Sequence, residues 1–372
     1  MKTSSSLVVV VLLMACGEPP ASHSEDLQNW SVDPLASSLI GEIDGDPHYL
    51  FQRIASVRLT TDGRVAVADL GSASIRIFDG SGEFLVEEGR EGKGPGEYQY
   101  ISSLRIGSDG TMEVYDSRLY RLTRLAPDGS LLDTQDFLGE GGNPEIFLGQ
   151  ADTGDFVLGW IEFGTRNPEV VTPDLMKIGR FGVDGRLHEV LVTTAGFRRF
   201  GGSPVPFTPS LHAFLTGDSV YFTDGLAGEL TGINVQGDSL PSVGIDFTSV
   251  APSEAWRILE EEHAQRGTLE TLERFADLSK EEPIPEVSRI VVDDVGRFWM
   301  KRYAPATDSH TLGGWAGAPG GDWSIVDVER GHVADVSLPP GFILMDVRGD
   351  RVVGVVRDDL GVERVAVHRI TR

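Results

Sequence analysis

Two segments of the chain align with each other without a gap, and this internal repeat limits the fold more than any other feature. The first is IASVRLTTDGRVAVADLGSASIRIFDGSGEFL (54–85) and the second is ISSLRIGSDGTMEVYDSRLYRLTRLAPDGSLL (101–132). Asp69 and Asp116 occupy equivalent positions, 47 residues apart. A repeat of this length is typical of modules that contain a few short secondary-structure elements and stack against their neighbours.

Each repeat contains four short runs in which apolar and polar residues alternate, and tight turns separate the runs. Asp-Gly and Gly-Asp pairs, which supply the positive φ of tight reversals, recur along the chain. The 372 residues include 45 glycines and 20 prolines, as expected for many short strands. The sequence therefore predicts an all-β fold, a β-propeller with four-stranded blades, in one domain.

Grouped in fours, the predicted strands form blades at 54–88, 101–137, 145–193, 211–245 and 287–338. A sixth blade, 342–370, has only three evident strands, and a strand-like segment, 38–43, precedes the first blade. Donation of that segment to the last blade would close the ring and cover its free edge. We therefore expect a six-bladed propeller over 38–372, closed by an N-terminal strand.

One segment departs from the β pattern. The sequence SEAWRILEEEHAQRGTLETLERFADL (253–278) is rich in helix-forming residues, and Gly267 divides it. Apolar residues such as Trp256 and Leu259 recur at three- and four-residue spacing, so each half can place one face on the propeller. This pattern predicts a short helical insertion, at about 253–279, between blades four and five.

The sequence VAVADLGSASIRIFDGSGEFL (65–85), followed by GREGKGPGEY (89–98), resembles the NHL repeat. The chain as a whole is similar to the six-bladed propeller lipoproteins of bacteria. In the NHL repeat, Asp and Arg positions equivalent to Asp69 and Arg76 tie adjacent strands together, and the resemblance implies the same structural role here. Recurrence once per blade also favours a structural role over a catalytic one.

The first fifteen residues predict an export signal. Lys2 supplies a positive start, and the apolar run Leu7–Leu13 is too short to span a bilayer. The sequence LMAC that ends at Cys16 resembles the lipobox of bacterial lipoproteins, in which the cysteine is alkylated with diacylglycerol. Cys16 is also the only cysteine in the chain.

The resemblance to lipoproteins implies a lipid anchor in the bacterial cell envelope. Gly17 after the lipidated cysteine implies the outer membrane. We expect residues 16–37 to form a flexible tether, because the segment begins with a polar, proline-containing stretch.

The charge excludes one class of partner. Asp and Glu number 57 against 32 Lys and Arg, which gives a net charge of −25 and opposes binding to nucleic acid. The partners expected instead are the membrane, through the anchor, and an unknown small molecule, glycan or envelope protein. The propeller is expected to be a monomer.

The connections between strands are of two kinds. Those between the first and second and between the third and fourth strands of a blade are mostly tight turns. The connections on the opposite side, which we call the long-loop face, include 89–100, 162–173, 194–210, the helical insertion and 303–321. Connections well above the median of about 4 to 6 residues are more often functional than incidental.

Basic and aromatic residues on the long-loop face are the predicted ligand-binding residues. They are Arg90, Lys93, Tyr98, Arg166, Arg198, Arg199, His212, Arg302, His310 and Trp315. Such groups hold anionic or carbohydrate-like ligands through charge-assisted hydrogen bonds and ring stacking. The alternative is that acidic neighbours pair with the arginines and that the aromatic rings only fill gaps between blades.

Three classes of function stay open. The first is a binding or sensory module, because no catalytic residues can be assigned. The second is an enzyme with calcium or zinc in the central channel, a lactonase-like hydrolase or a lyase. The histidines form no His-x-His or His-x-x-x-His pair, so no metal ligand and no cofactor is assigned. The third is a scaffold in an assembly of envelope proteins.

Overall fold

The computed structural model describes residues 28–137, 143–165, 169–247, 249–275, 278, 280–308 and 319–372. Within these residues the strands form six sheets of four or five strands. The first strand of each blade contacts the first strands of both neighbouring blades, so that these six strands form a closed ring around a central channel. The predicted six-bladed propeller is confirmed.

The N-terminal strands are β1 (Gln28–Asn29), β2 (Ser31–Val32) and β3 (Ser38–Ile40). Blade one contains β4 (Ile54–Leu59), β5 (Val65–Asp69), β6 (Ser74–Phe78) and β7 (Phe84–Glu88). Blade two contains β8 (Ile101–Ile106), β9 (Met112–Asp116), β10 (Arg121–Leu125) and β11 (Leu131–Asp136).

Blade three contains β12 (Ile146–Gln150), β13 (Phe156–Glu162), β14 (Thr172–Phe181), β15 (Leu187–Phe200) and the short β16 (Ser203–Pro204). Blade four contains β17 (His212–Thr216), β18 (Ser219–Thr223), β19 (Glu229–Asn234) and β20 (Ser239–Gly244). The helices α1 (Pro252–Arg266) and α2 (Glu270–Glu273) follow, which confirms the predicted insertion.

Blade five contains β21 (Val287–Val292), β22 (Phe298–Arg302), β23 (Gly321–Asp327) and β24 (Gly331–Leu338). The short helix α3 (Pro305–Asp308) lies in the connection after β22. Blade six contains β25 (Ile343–Arg348), β26 (Arg351–Arg357) and β27 (Glu363–Thr371). A one-turn 3-10 helix, Pro47–Tyr49, precedes blade one.

The core lies between the blades. Val57 and Val65 of blade one pack with Val353 of blade six, whereas Ala66 and Ile75 pack with blade two. Both faces of β5 are therefore buried, along its whole length. Because each sheet is covered on both sides, apolar residues occur at consecutive positions instead of alternating strictly.

The N-terminal segment completes the ring. Val32 pairs with Ile370 and Leu39 pairs with Ala366, so β2 and β3 together form the missing outer strand of blade six. The strand β1 adds in parallel to β24, on the outer edge of blade five. The predicted closing strand is confirmed. The predicted tether is wrong for residues 28–37, because this part of the segment pairs with two blades.

Trp30 lies at the centre of this closure and is 6% exposed. Its ring packs against Trp299 with a centroid distance of 5.8 Å. The guanidinium groups of Arg297 and Arg372 lie 4.8 and 4.6 Å from the indole ring. Burial of the ring and its contacts with both cations hold the N-terminal segment on the propeller.

Polar contacts also join blade six to blade one. The buried Glu363 accepts a hydrogen bond from the backbone N–H of Ile54 at 2.6 Å. Asp346 accepts one from the N–H of Leu59 at 2.8 Å, and Arg348 donates to the carbonyl oxygen of Leu59 at 3.0 Å. The two ends of the ring are therefore joined by directional bonds as well as by apolar packing.

The repeated aspartates have the structural role that the resemblance implies. Asp69 is fully buried and accepts hydrogen bonds from the N–H groups of Arg53 and Gly71 at 2.9 and 3.0 Å. Asp116 accepts them from Tyr100 and Arg118, both at 2.9 Å. Each carboxylate thus ties the chain that enters a blade to the turn after its second strand.

We expect Trp30→Ala to lower the free energy of unfolding by about 3–5 kcal/mol, the usual range when a buried tryptophan is truncated. Leu35→Ala, in the same segment but 77% exposed, is the matched control and should stay within about 0.5 kcal/mol of wild type. Urea unfolding followed by tryptophan fluorescence and circular dichroism measures both changes. Equal effects of the two substitutions would contradict the role of Trp30.

Candidate functional site

The outer strands of blade three extend beyond the rest of their sheet on the long-loop face. The strands β14 and β15 have 10 and 14 residues, whereas β6 and β7 of blade one have five each. In the extension Thr172 pairs with Arg199, and Leu175 with Ala195. Residues 194–200, predicted to be loop, are therefore strand, since cross-strand pairing satisfies their backbone groups.

This hairpin and the connection that leads into it carry a partly exposed cluster of aromatic and basic side chains. The Arg199 guanidinium lies 5.7 Å from the ring of Phe163 and 5.9 Å from that of Phe197. Phe163 is 58% exposed, and Val170 and Leu175 nearby in the chain are 54% and 37% exposed. We call Phe163, Phe197 and Arg199 the hairpin patch. Aromatic and arginine side chains of this kind are enriched at the centres of protein interfaces.

A buried carboxylate fixes the position of Arg199. Its Nε donates to Oδ2 of Asp174 at 2.7 Å. Asp174 is fully buried and also accepts a hydrogen bond from the N–H of Gly164 at 3.1 Å. Because Asp174 is held from two sides, the guanidinium stays beside the rings and its charge is largely neutralised.

The helical insertion packs beside this hairpin. Trp256 and Leu259 of α1 are buried, as the sequence pattern predicts. The ring of Phe207 lies 5.4 Å from that of Trp256 and 6.3 Å from that of Tyr303. Three of the long connections therefore share one apolar cluster. Gly267, with φ of 69°, ends α1 in the left-handed conformation that glycine adopts readily.

Arg198 joins the hairpin to the insertion. Its Nη1 lies 3.0 Å from the carboxylate of Glu282, and its Nη2 donates to the carbonyl oxygen of Phe207 at 3.3 Å. Of the predicted ligand-binding residues, Arg198 and Arg199 are thus brought together. Both are engaged by internal partners, as the alternative interpretation of the sequence holds.

Three other predicted residues lie in the linker between blades one and two. Arg90 pairs with Glu97 at 2.7 Å, and Glu97 also accepts a hydrogen bond from the N–H of Lys93 at 3.0 Å. Tyr98 is 1% exposed and packs in the apolar core between the two blades. The ring of Tyr98 fills the gap between the blades, as the alternative interpretation of the sequence holds.

The remaining predicted residues are dispersed. Arg302 is exposed at the end of β22, with its guanidinium 5.4 Å from the ring of Phe247. His212 begins the first strand of blade four and lies in the central channel. The other predicted site residues lie outside the described residues; they are Cys16, Arg166, His310 and Trp315.

The central channel gathers charged residues that the sequence analysis missed. Arg58, Arg105 and Arg289 come from the first strands of blades one, two and five. Each side chain is partly exposed although it lies deep within the propeller, as expected on the wall of a channel. Arg58 and Arg105 are equivalent residues of the repeat, 47 positions apart, and this recurrence is the signal that could have found them.

Burial shifts the pKa values of several groups at the channel. It lowers the pKa of Arg289 to about 10, and the nearby charge of Arg58 contributes. Burial, assisted by Arg289, also lowers the pKa of His212 to about 4, so this imidazole is neutral at pH 7. The pKa values of the carboxyl groups of Glu113 and Asp346 are raised by burial. With a pKa of about 10, Arg289 remains protonated at neutral pH.

Among the residues that the structure describes, no group of three or more His, Cys, Asp or Glu side chains is arranged to hold a metal ion. None of the helices in the described ranges is long and apolar enough to cross a membrane.

His212→Gln should flatten the pH dependence of stability between pH 6.5 and 4. Over this range the unfolded chain binds a proton that the folded imidazole, with its pKa of about 4, does not bind. Wild type therefore loses up to about 3 kcal/mol through this residue as the pH falls, and nothing further above pH 6.5.

Urea unfolding at pH 7, 5.5 and 4.5 measures this dependence. His188→Gln, which replaces a histidine whose side chain is 45% exposed, is the control and should keep the wild-type slope. The same slope in wild type and His212→Gln would show that burial of His212 has no such effect.

Comparison with known proteins agrees with this architecture. Residues 46–137, about a quarter of the chain, match the model of a family described as a 6-bladed beta-propeller, DUF5128. No curated protein matches the sequence.

Solved structures share the fold at low sequence identity. A candidate exported protein from Bacteroides fragilis has a TM-score of 0.50 and 11% identity over 92% of this chain and 96% of that chain. A DUF4221 family member from Bacteroides vulgatus has a TM-score of 0.49 and 8% identity, covering 92% and 99% of the two chains. Virginiamycin B lyase from Staphylococcus aureus has a TM-score of 0.45 and 10% sequence identity, and the match covers 92% of this chain and 100% of that chain. The family match and the six sheets identify the chain as a six-bladed β-propeller.

Proposed function

We propose that this chain is an exported, lipid-anchored propeller of the bacterial envelope that binds a protein partner through its long-loop face. The observation that carries this proposal is the hairpin patch. Phe163, in the connection that leads into the extended hairpin, is 58% exposed, and the pairing of Arg199 with buried Asp174 holds the neighbouring guanidinium in place.

The shape of this surface favours a protein over a small molecule. Small-molecule sites are usually concave pockets that enclose most of the ligand. The hairpin patch lies instead on a protruding hairpin, where a flat or grooved protein surface can cover it. Burial of exposed aromatic rings and of the apolar stem of an arginine is the usual source of affinity in such interfaces.

The anchor would keep this surface close to the membrane. Gln28, where the first strand begins, lies twelve positions after Cys16, and even a fully extended chain of that length spans at most about 43 Å. The similar Bacteroides fragilis protein is described as a candidate for export, which is consistent with this location. An envelope protein is therefore the expected partner.

Phe163→Asp should abolish contact with the partner. A photoreactive amino acid at Leu175 would report that contact by crosslinking in cells, in wild type and in each variant. We expect Phe163→Asp to reduce the crosslinked product at least tenfold, because a carboxylate replaces a ring at the centre of the patch.

Val183→Asp is the matched control, since Val183 is 69% exposed at the opposite end of the same hairpin. This variant should keep the crosslinked product. Equal crosslinking in all three chains, or none in wild type, would contradict a partner at the hairpin patch.

Cys16→Ala should release the chain from the membrane. Without the thiol there is no site for the acyl chains, whose buried methylenes contribute about 0.8 kcal/mol each to membrane binding. Membrane fractionation, together with the intact mass of the processed protein, measures the loss. Ser22→Ala in the same segment is the control and should leave the attachment unchanged. Membrane attachment of Cys16→Ala equal to wild type would refute lipidation.

A further inference from the structure

We propose that the central channel binds a small oxyanion, a carboxylate, phosphate or sulfate group, between Arg58, Arg105 and Arg289. This inference goes beyond the proposed function, because the site lies inside the ring of first strands and not at the hairpin patch. The two can therefore be tested and can fail separately.

Two of the arginines converge on one residue of blade six. Arg58 donates hydrogen bonds to the carbonyl oxygen of Met345 and, at 2.8 Å, to that of Leu104 in blade two. Arg289 extends from blade five and donates to the sulfur of the same Met345 at 3.4 Å. Their guanidinium groups therefore lie close together at the channel wall, although they come from blades one and five.

The third arginine, Arg105 of blade two, extends toward the neighbouring blade three. A Cβ on Gly149, in the first strand of blade three, would lie 3.0 Å from Nη2 of Arg105. The absence of a side chain at Gly149 thus makes room for this guanidinium. The Nε of Arg105 is buried and has no hydrogen-bond acceptor among the described residues, and the carboxylate of Glu113 is 3.7 Å away.

The carboxylates of the channel are partly committed to other groups. Asp346 accepts the hydrogen bond from the N–H of Leu59 that joins blades six and one. Glu113 interacts with Arg124 as well as with Arg105. Among the described residues, Asp346 and Glu113 are thus the carboxylates that interact with Arg58 and Arg105, inside a chain whose net charge is −25.

An anion would relieve the repulsion among these arginines. Burial lowers the pKa of both Arg105 and Arg289, and the charge of Arg58 adds to both shifts, so Arg58 lies close enough to repel each of the other two guanidinium groups. Within a protein, hydrogen bonds from guanidinium groups to an oxyanion are about twice as strong as those between neutral groups. Planar guanidinium groups also match the oxygen spacing of carboxylates and phosphates better than an ammonium does.

The order of residues along the strands indicates how an anion would enter. First strands run from the long-loop face toward the opposite face. His212 is the first residue of its strand, Arg289 the third, and Arg58 and Arg105 the fifth. An anion that enters from the long-loop face would pass the neutral His212 and then Arg289 before it reaches Arg58 and Arg105, which lie deeper in the channel.

Isothermal titration calorimetry of the full-length chain with inorganic phosphate and with acetate tests the proposal. Titration with sodium chloride at matched ionic strength corrects for screening of charge. We expect saturable binding of at least one oxyanion by wild type, and at least tenfold weaker binding by Arg289→Gln and by Arg105→Gln. Arg289→Lys should weaken binding less, since it keeps the charge but loses the planar fork.

Arg186→Gln, at an exposed turn of blade three, is the matched control and should bind like wild type. Circular dichroism establishes that each variant is folded. Wild-type crystals soaked in selenate give a second readout that needs no variant, and the anomalous selenium peak should lie within hydrogen-bonding distance of Arg289. No saturable binding by wild type, unchanged binding by both glutamine variants, or a selenium peak only outside the channel would overturn the proposal.

Discussion

The closure of the ring by the N-terminal segment is the interaction on which the rest of the structure depends. Without β2 and β3 blade six would lack its outer strand, and its last strand would expose an unpaired edge. The same seam forms part of the channel wall, because Arg58 of blade one donates to the carbonyl oxygen of Met345 in blade six. The contact between blades six and one therefore also positions Arg58 in the arginine cluster.

A closed ring also explains how like charges can lie together in the interior. Each of the arginines extends from a strand that is fixed by its own sheet and by both neighbouring blades. The free energy of many apolar contacts between blades can offset the repulsion and the desolvation that lower the pKa of Arg289 to about 10. Natural proteins keep buried groups of like charge mostly at functional sites, which supports a role of these arginines in binding.

The sequence predicted the fold well where the repeat and its turns set the strands. Blades one and two and the helical insertion follow from local patterns. The pairing of residues 28–37 could not be predicted, because two-residue strands show no periodicity and Trp30 gains its contacts only once blade five is in place. The strand at 194–200 was missed because its partner, at 172–175, lies across a hairpin of unusual length.

The candidate site was likewise predicted only in part from the sequence, and the reason lies in the symmetry of the fold. Departure from the repeat correctly marked the long hairpin of blade three, where Arg198 and Arg199 lie. It could not find the channel cluster, because Arg58 and Arg105 obey the repeat. Equivalent residues far from the axis are widely separated, and recurrence there indicates structure, as for Asp69 and Asp116. On the first strands, which surround the axis, recurrence instead brings equivalent side chains together. The distance of a repeated residue from the axis therefore decides whether its repetition supports the scaffold or builds a site.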